Sequence, residues 1–147
     1  MAVLKVWESH GYECRIVESG EFQDGYQSKN GYVGVPKWHV SWAHSIFGIS
    51  VDIHGDVSFA QFGKEGDEMF PDPDIKYIGF DTNHWNKGDY DPMKKQGHIW
   101  TIEKVIQETE KLAAQLFKLN EEFLSRLEPE IKEYILKMGE AEDTRKP

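Results

Sequence analysis

Two short segments carry residue types able to do chemistry, VDIHGDVSFA at 51–60 and YIGFDTNHWNKGDY at 77–90. Each breaks a β-type apolar pattern with residues a strand interior does not need: His54 beside Gly55 in the first, and Asp81, His84, Trp85 and Asp89 in the second. Strand interiors favour β-branched and aromatic side chains, so imidazoles and carboxylates at strand ends predict a small polar site on a rigid scaffold.

Three chemistries fit those residue types. The six histidines (10, 39, 44, 54, 84 and 98), with Asp52, Asp56, Asp81 and Asp89, offer donors for a metal, but no HExxH or HxH spacing is present, and no metal is expected. Hydrolysis needs a nucleophile with a base, and Ser50, Ser58 and Cys14 lack any nucleophile-elbow context. A His–Asp pair such as His54 or His84 with Asp81 is the remaining general-base arrangement. The third chemistry is binding, in which the same groups contact phosphate and sugar hydroxyls.

Aromatic residues and cations complete the binding set. Trp38 and Trp42 sit in Pro36-Lys37-Trp38-His39-Val40-Ser41-Trp42, too polar for a simple buried strand, and Trp85 adjoins His84. Flat rings beside polar groups suit stacking on a nucleobase, worth about 1–3 kcal/mol per base. Arg15 is the sole arginine of the first hundred residues, a candidate clamp for phosphate, with an ion pair to Glu13 or Glu18 as its structural alternative. The expected ligand-binding set is therefore Arg15, His39, Trp42, His54, Asp81, His84, Trp85 and Asp89. No catalytic residue is assigned and no cofactor is expected, since both GxxxxGK[ST] and GxGxxG are missing.

The elements that must position these residues divide the chain in two. Residues 1–100 are rich in Gly, aromatic and β-branched types, predicting strands near 13–18, 31–35, 49–53, 57–62 and 76–80, a tight hairpin at His54-Gly55-Asp56 and a loop over 63–74. From Thr101, an N-cap type, the period changes to helical, with Ile102, Val105, Ile106, Thr109, Leu112, Ala113, Leu116 and Phe117 on one stripe. Pro129 predicts a break near 127–128 and a new helix that Gly139 ends, leaving 140–147 as a polar tail. The expected fold is α+β: one domain over 1–147, a small mostly antiparallel sheet packed on a long amphipathic helix, with a further helix behind. Apolar residues over 116–138 exceed what one sheet face uses, which predicts a homo-oligomer through the helical region.

Composition narrows the partners. At 147 residues with 39% hydrophobic content the chain suits one folded domain, and a net charge of −9 argues against nucleic-acid polymers and anionic membranes. Cys14 is the only cysteine, which rules out an intramolecular disulfide. The first residues lack the apolar core of a secretory signal, and no apolar run approaches the ~20 residues of a membrane span, so a cytoplasmic location is expected.

The order GYVGVPKWH (31–39), VDIHGDVSF (51–59), YIGFDTNHWNKGD (77–89) and WTIEKVIQETEKLAAQL (100–116) resembles a family of small proteins encoded by phages and prophages. That family's pattern runs GYV-x-VP-x-x-H, then V-x-HGG, then GFD-x-x-H-x-GD, then an amphipathic helix. His39, His54, Gly55, Gly79, Phe80, Asp81, His84, Gly88 and Asp89 fall on its recurring positions. Asp56 stands where the family has a second glycine, and Trp85-Asn86-Lys87 enlarges the loop before Gly88. The resemblance implies a phage context. The expectation that follows is an anti-defence protein that sequesters a host nucleotide-derived signal, cyclic or of ADP-ribose type, without cleaving it. A phosphodiesterase or nucleotide hydrolase using His54, Asp81 and His84 is one alternative, and a protein-interaction module acting through the C-terminal helices is the other.

Overall fold

The computed structural model describes residues 2–19, 25–43 and 51–143, the last five of these as backbone only. The architecture is α+β. Strands β1 (Ala2–Ser9), β2 (Tyr12–Glu18), β3 (Lys29–Pro36), β4 (Phe59–Phe62) and β5 (Ile75–Phe80) form one sheet of order β1-β2-β3-β5-β4, antiparallel throughout. A four-residue helix α1 (Val40–Ala43) follows β3, and the helices α2 (Ile102–Ser125) and α3 (Pro129–Asp143) follow the sheet.

Alternation along the central strands explains how sheet and helix join. Cys14 and Ile16 of β2, Val33 and Val35 of β3, and Ile78 and Phe80 of β5 are fully buried, facing Val105, Leu112, Ala113 and Leu116 of α2. The 105, 112, 113, 116 spacing is one helical stripe, which is what a sheet face accepts from a single helix. Gly31 permits the close approach. A Cβ there would lie 2.1 Å from Thr109 Oγ1 and 2.7 Å from the Phe80 ring, so any side chain would push α2 off β3. Thr109 is fully buried and donates its hydroxyl to Val105 O at 2.7 Å, keeping this polar atom satisfied in the contact.

The other face carries a smaller aromatic layer. Tyr32, Phe59, Phe70 and Tyr77 pack ring to ring at 4.8–5.2 Å between centroids, with the 63–74 loop supplying Phe70. Arg15 lies in this layer: it pairs with Glu13, donates to Met69 O at 3.3 Å and stands 5.7 Å from the Tyr77 ring.

Several expectations need correction. The N-terminal strand β1 was not anticipated, because its Lys5 and Glu8 and its largely exposed pattern are those of an edge strand without a buried stripe. Residues 51–53 form no strand among the described residues, while Ile49 and Ser50 lie outside them. The turn at His54-Gly55 closes as expected, with Asp56 N donating to Ile53 O at 3.2 Å, but its flanks form no hairpin ladder. Gly139 does not end α3, whose backbone runs to Asp143. The helix N-cap and the break hold: Thr101 Oγ1 accepts from Lys104 N at 3.2 Å, and α2 stops at Ser125 before Pro129 opens α3. Among the described residues no helix is long and apolar enough to cross a membrane.

Candidate functional site

The residues expected to form one site occupy three places. His54, Asp81, His84, Trp85 and Asp89 gather where Gly31 of β3 pairs with Phe80 of β5. His39 and Trp42 follow Pro36, at the opposite end of the same antiparallel pair, five residues and roughly 17 Å away along β3. Arg15 is on the aromatic face beneath the 63–74 loop.

The first group is organised by Asp89. Its side chain is 2% exposed, yet its carboxylate receives three N–H donors: His54 Nε2 at 2.7 Å and His84 N at 2.8 Å on Oδ2, and Trp100 Nε1 at 2.9 Å on Oδ1. Burial of a charge is costly unless it is hydrogen-bonded, and charge-assisted bonds each contribute about 1.5–3 kcal/mol. Asp89 thereby ties the 53–56 turn, the Trp85–Lys87 3₁₀ turn and the start of α2 into one unit. No lone pair of its carboxylate is left pointing at solvent as the obvious contact for a sugar hydroxyl.

The histidines are held by these carboxylates and by each other. A carboxylate only accepts, so the 2.7 Å contact puts the proton of neutral His54 on Nε2 and leaves Nδ1 as a lone pair. His84 Nε2 lies 3.3 Å from Asp81 Oδ1, within ion-pair reach but without hydrogen-bond alignment, and Asp81 Oδ1 also accepts from Asn83 N at 2.9 Å. The two rings meet edge to face, 5.5 Å between centroids, and Trp100 packs on His54 at 4.7 Å. Among the described residues no group bonds Nδ1 of either ring, and Asp81 Oδ2 takes no hydrogen bond. Trp85, next in sequence, is 49% exposed.

Backbone geometry fixes the approach of the rings. Gly55 has φ +68°, and a Cβ on it would stand 2.1 Å from His84 Nε2, so this residue is glycine both for its turn and for the ring above it. Asp56 adopts φ +63°, a region that Asp tolerates better than most side chains.

Helix α2 holds this turn from below. Glu108 Oε1 accepts from His54 N at 2.7 Å, and the Gln115 amide brackets Asp52, accepting from its N at 2.6 Å and donating to its O at 2.9 Å. Sequence reasoning missed Trp100, Glu108 and Gln115. The available signal was their period: 108 and 115 are two turns apart on one face of α2, beside the apolar stripe.

His39 has a different role. It is 3% exposed, Nε2 donates to Leu116 O at 2.9 Å, and Nδ1 accepts from Ser41 N at 3.0 Å with Ser41 Oγ 2.8 Å away. Burial pushes its pKa down from 6.5 to about 4, so the ring is neutral at ordinary pH. Both nitrogens are committed to holding 39–41 against α2, where Asn120 Oδ1 also accepts from Val40 N at 2.9 Å. Lys76 completes the seam, its buried ammonium donating to Ser41 O at 2.6 Å with its pKa lowered by burial. Trp42 donates Nε1 to Val35 O at 3.2 Å and packs on Phe62 at 4.7 Å.

Cys14 sits inside the sheet–helix core, where burial raises its thiol pKa to about 12, far from the thiolate a nucleophile needs. Among the described residues no three His, Cys, Asp or Glu side chains converge as metal ligands. The arrangement defines an α+β protein with a histidine–carboxylate cluster at one end of its sheet. No family model, curated protein or solved structure matches the chain.

Proposed function

We propose that this protein binds a small phosphate-bearing, nucleotide-type ligand at the His54–His84 edge and withholds it without cleaving it. One observation carries the reading: two adjacent imidazoles meet edge to face, His54 held through Nε2 by Asp89 and His84 within ion-pair reach of Asp81, and both Nδ1 atoms are unclaimed among the described residues. Protonated, the two Nδ1–H groups donate to anionic oxygens; Asp81 Oδ2 is the acceptor for a sugar hydroxyl, and half-exposed Trp85 is the ring on which a base stacks. Arg15, His39, Trp42 and Asp89 do not take part in this contact set, because each is spent on the fold. The four sequence blocks resembling a phage family supply the context, sequestration of a host nucleotide-derived immune signal in the cytoplasm of the infected cell. Exposed Ile131, Tyr134 and Leu136 on α3 support a homo-oligomer formed through the helices.

A second reading is favoured by the His54–Asp89 pair alone. A buried carboxylate that fixes the Nε2–H tautomer leaves Nδ1 as a general base, the geometry a nucleotide hydrolase would use on a water. One experiment separates the readings. The protein is incubated with a panel of cyclic nucleotides and ADP-ribose derivatives, then heat-denatured, and free ligand is measured by mass spectrometry before and after heating. A ligand that disappears and returns intact supports sequestration; a new product supports the hydrolase; no change with any ligand overturns both. Light scattering on the chain truncated after Asn120 tests the oligomer, which an unchanged mass relative to the chain length would refute.

A further inference from the structure

The charges around His54 and His84 set a condition on any anion that binds between them. Two carboxylates face the rings directly, Asp89 at 2.7 Å from His54 Nε2 and Asp81 at 3.3 Å from His84 Nε2. From α2, Glu108 Oε1 accepts from His54 N, and Asp56 is exposed on the turn that carries His54. The neighbouring cations serve other groups. Lys111 lies 3.6 Å from Asp52 and 4.0 Å from Glu108, and Lys29 of β3 lies 3.9 Å from Glu18. Lys87 is exposed, and among the described residues no lysine or arginine pairs with Asp81 or Asp89. Tyr32 of β3 stays a neutral phenol, its pKa raised to about 12 by burial and by the Asp81 charge. His98 stands 6.2 Å from the Trp100 ring, on the far side of the indole that packs on His54.

With both rings neutral this edge is therefore negative, and its field repels a phosphate oxygen. Neutral His54 adds to the repulsion, because with its proton on Nε2 it presents a lone pair at Nδ1. Protonation reverses both effects at once: the ring becomes a cation and Nδ1 becomes a donor. The Nδ1 atoms are open to this. Neither bonds another group among the described residues and neither is shut off from solvent, whereas His84 Nε2 is enclosed without a hydrogen bond. One carboxylate per ring also allows two imidazolium groups to coexist at a centroid distance of 5.5 Å.

We infer that capture at this edge is coupled to proton uptake: an anion is held as His54 and His84 take protons from solution, so the site fills as pH falls and releases as pH rises. The inference rests on the His54–His84 reading and adds a regulation to it. Its sign follows from linkage. A ligand that prefers the protonated rings draws protons in, and its affinity rises by up to about tenfold per pH unit for each proton taken up. The rise levels off once the free rings already carry their protons.

Sulfate is the probe, because its charge is constant from about pH 6 to 8, where a phosphate monoester itself titrates. It is titrated at constant ionic strength into the ¹⁵N-labelled full chain, following the backbone amides of His54, His84 and Asp89. Affinity should tighten about tenfold or more from pH 8 to pH 6. His54→Gln and His84→Gln should each flatten that slope, and His98→Gln should leave it unchanged. Sulfate that binds the parent chain equally at both pH values overturns the proton coupling and leaves the anion site standing. Sulfate that moves none of these amides at pH 6 overturns the coupling and the site together. A slope lost in His98→Gln and kept in the other two variants overturns the coupling as well, since the proton would then be taken up elsewhere.

Discussion

The two ends of the β3–β5 pair use histidine in opposite ways. At the Pro36 end, His39 spends both ring nitrogens on Leu116 O and Ser41 and is shut from solvent. At the Gly31 end, His54 is held through Nε2 alone and His84 Nε2 only nears Asp81 without hydrogen-bond alignment, with side chains 19% and 23% exposed. The difference lies in how many ring nitrogens the fold has already used: two in His39, one in His54 and neither with good geometry in His84.

Asp89→Ala attacks the Gly31 end at its anchor and has the largest expected effect. It strands three N–H donors, two of them from His54 and Trp100 side chains, and should cost about 3–5 kcal/mol of stability, read as a fall in the urea midpoint. Asp89→Asn keeps the shape and one acceptor oxygen but turns an NH₂ toward N–H donors, and should cost roughly half as much. A loss below about 1 kcal/mol for the alanine variant would mean that Asp89 does not organise this end.

The Pro36 end is broken by acid. His39 folds neutral, with its pKa depressed from 6.5 to about 4, so between those values the unfolded chain binds a proton that the folded chain does not. Stability from this group is therefore complete above pH 6.5 and is lost as pH falls toward 4, by up to about 3 kcal/mol. His39→Gln should be less stable at pH 7 by about 2 kcal/mol and should show a flatter decline over that window. Identical pH slopes for the variant and the parent in chemical denaturation would remove the buried-histidine account.

That contrast was only half legible in the sequence. Period-2 alternation in β2, β3 and β5 and the 105–116 stripe of α2 encode burial directly, and Thr101 and Pro129 are local signals, so sheet, helix and break could be read. The gathering of His54, Asp81, His84 and Asp89 could be read as well, since all four interrupt strand-like runs. Which end of the sheet each residue reaches could not. His39 leaves β3 at its C-terminal end and Asp81 leaves β5 at its own, and only the antiparallel β3–β5 pairing sends them apart. Arg15 lies on the aromatic face by plain alternation along β2, opposite Cys14 and Ile16, whose side chains face α2. Glu108 and Gln115 share a helical period, but that period does not say which distant backbone atoms they bond, and nothing local marks Trp100 as a donor to Asp89.

Gly55→Ala sharpens the Gly31 end without touching a hydrogen-bonding atom. The new Cβ meets the His84 ring and the residue must hold φ +68°, so a loss of about 1–2 kcal/mol is expected, larger than a surface substitution gives. The ring of His84 must move, and ligand capture in the heating assay should fall with it. Undiminished capture would show that the His54–His84 spacing is irrelevant to the ligand.

The smallest stability effect should accompany the clearest functional one. Asp81 and His84 have side chains 31% and 23% exposed and meet at 3.3 Å without good alignment, so the pair contributes little to folding. Asp81→Ala with His84→Ala removes a loose ion pair and an Asx-turn acceptor and should lower stability by no more than about 1 kcal/mol, leaving the Asp89 contacts with His54, Trp100 and the 84 backbone N–H in place. It deletes one free Nδ1 and the free carboxylate oxygen, so capture of a nucleotide-type ligand should be lost while the urea midpoint barely moves. A double variant that keeps full capture would leave the Gly31 end as a second staple, built around the Asp89 carboxylate instead of one buried ring.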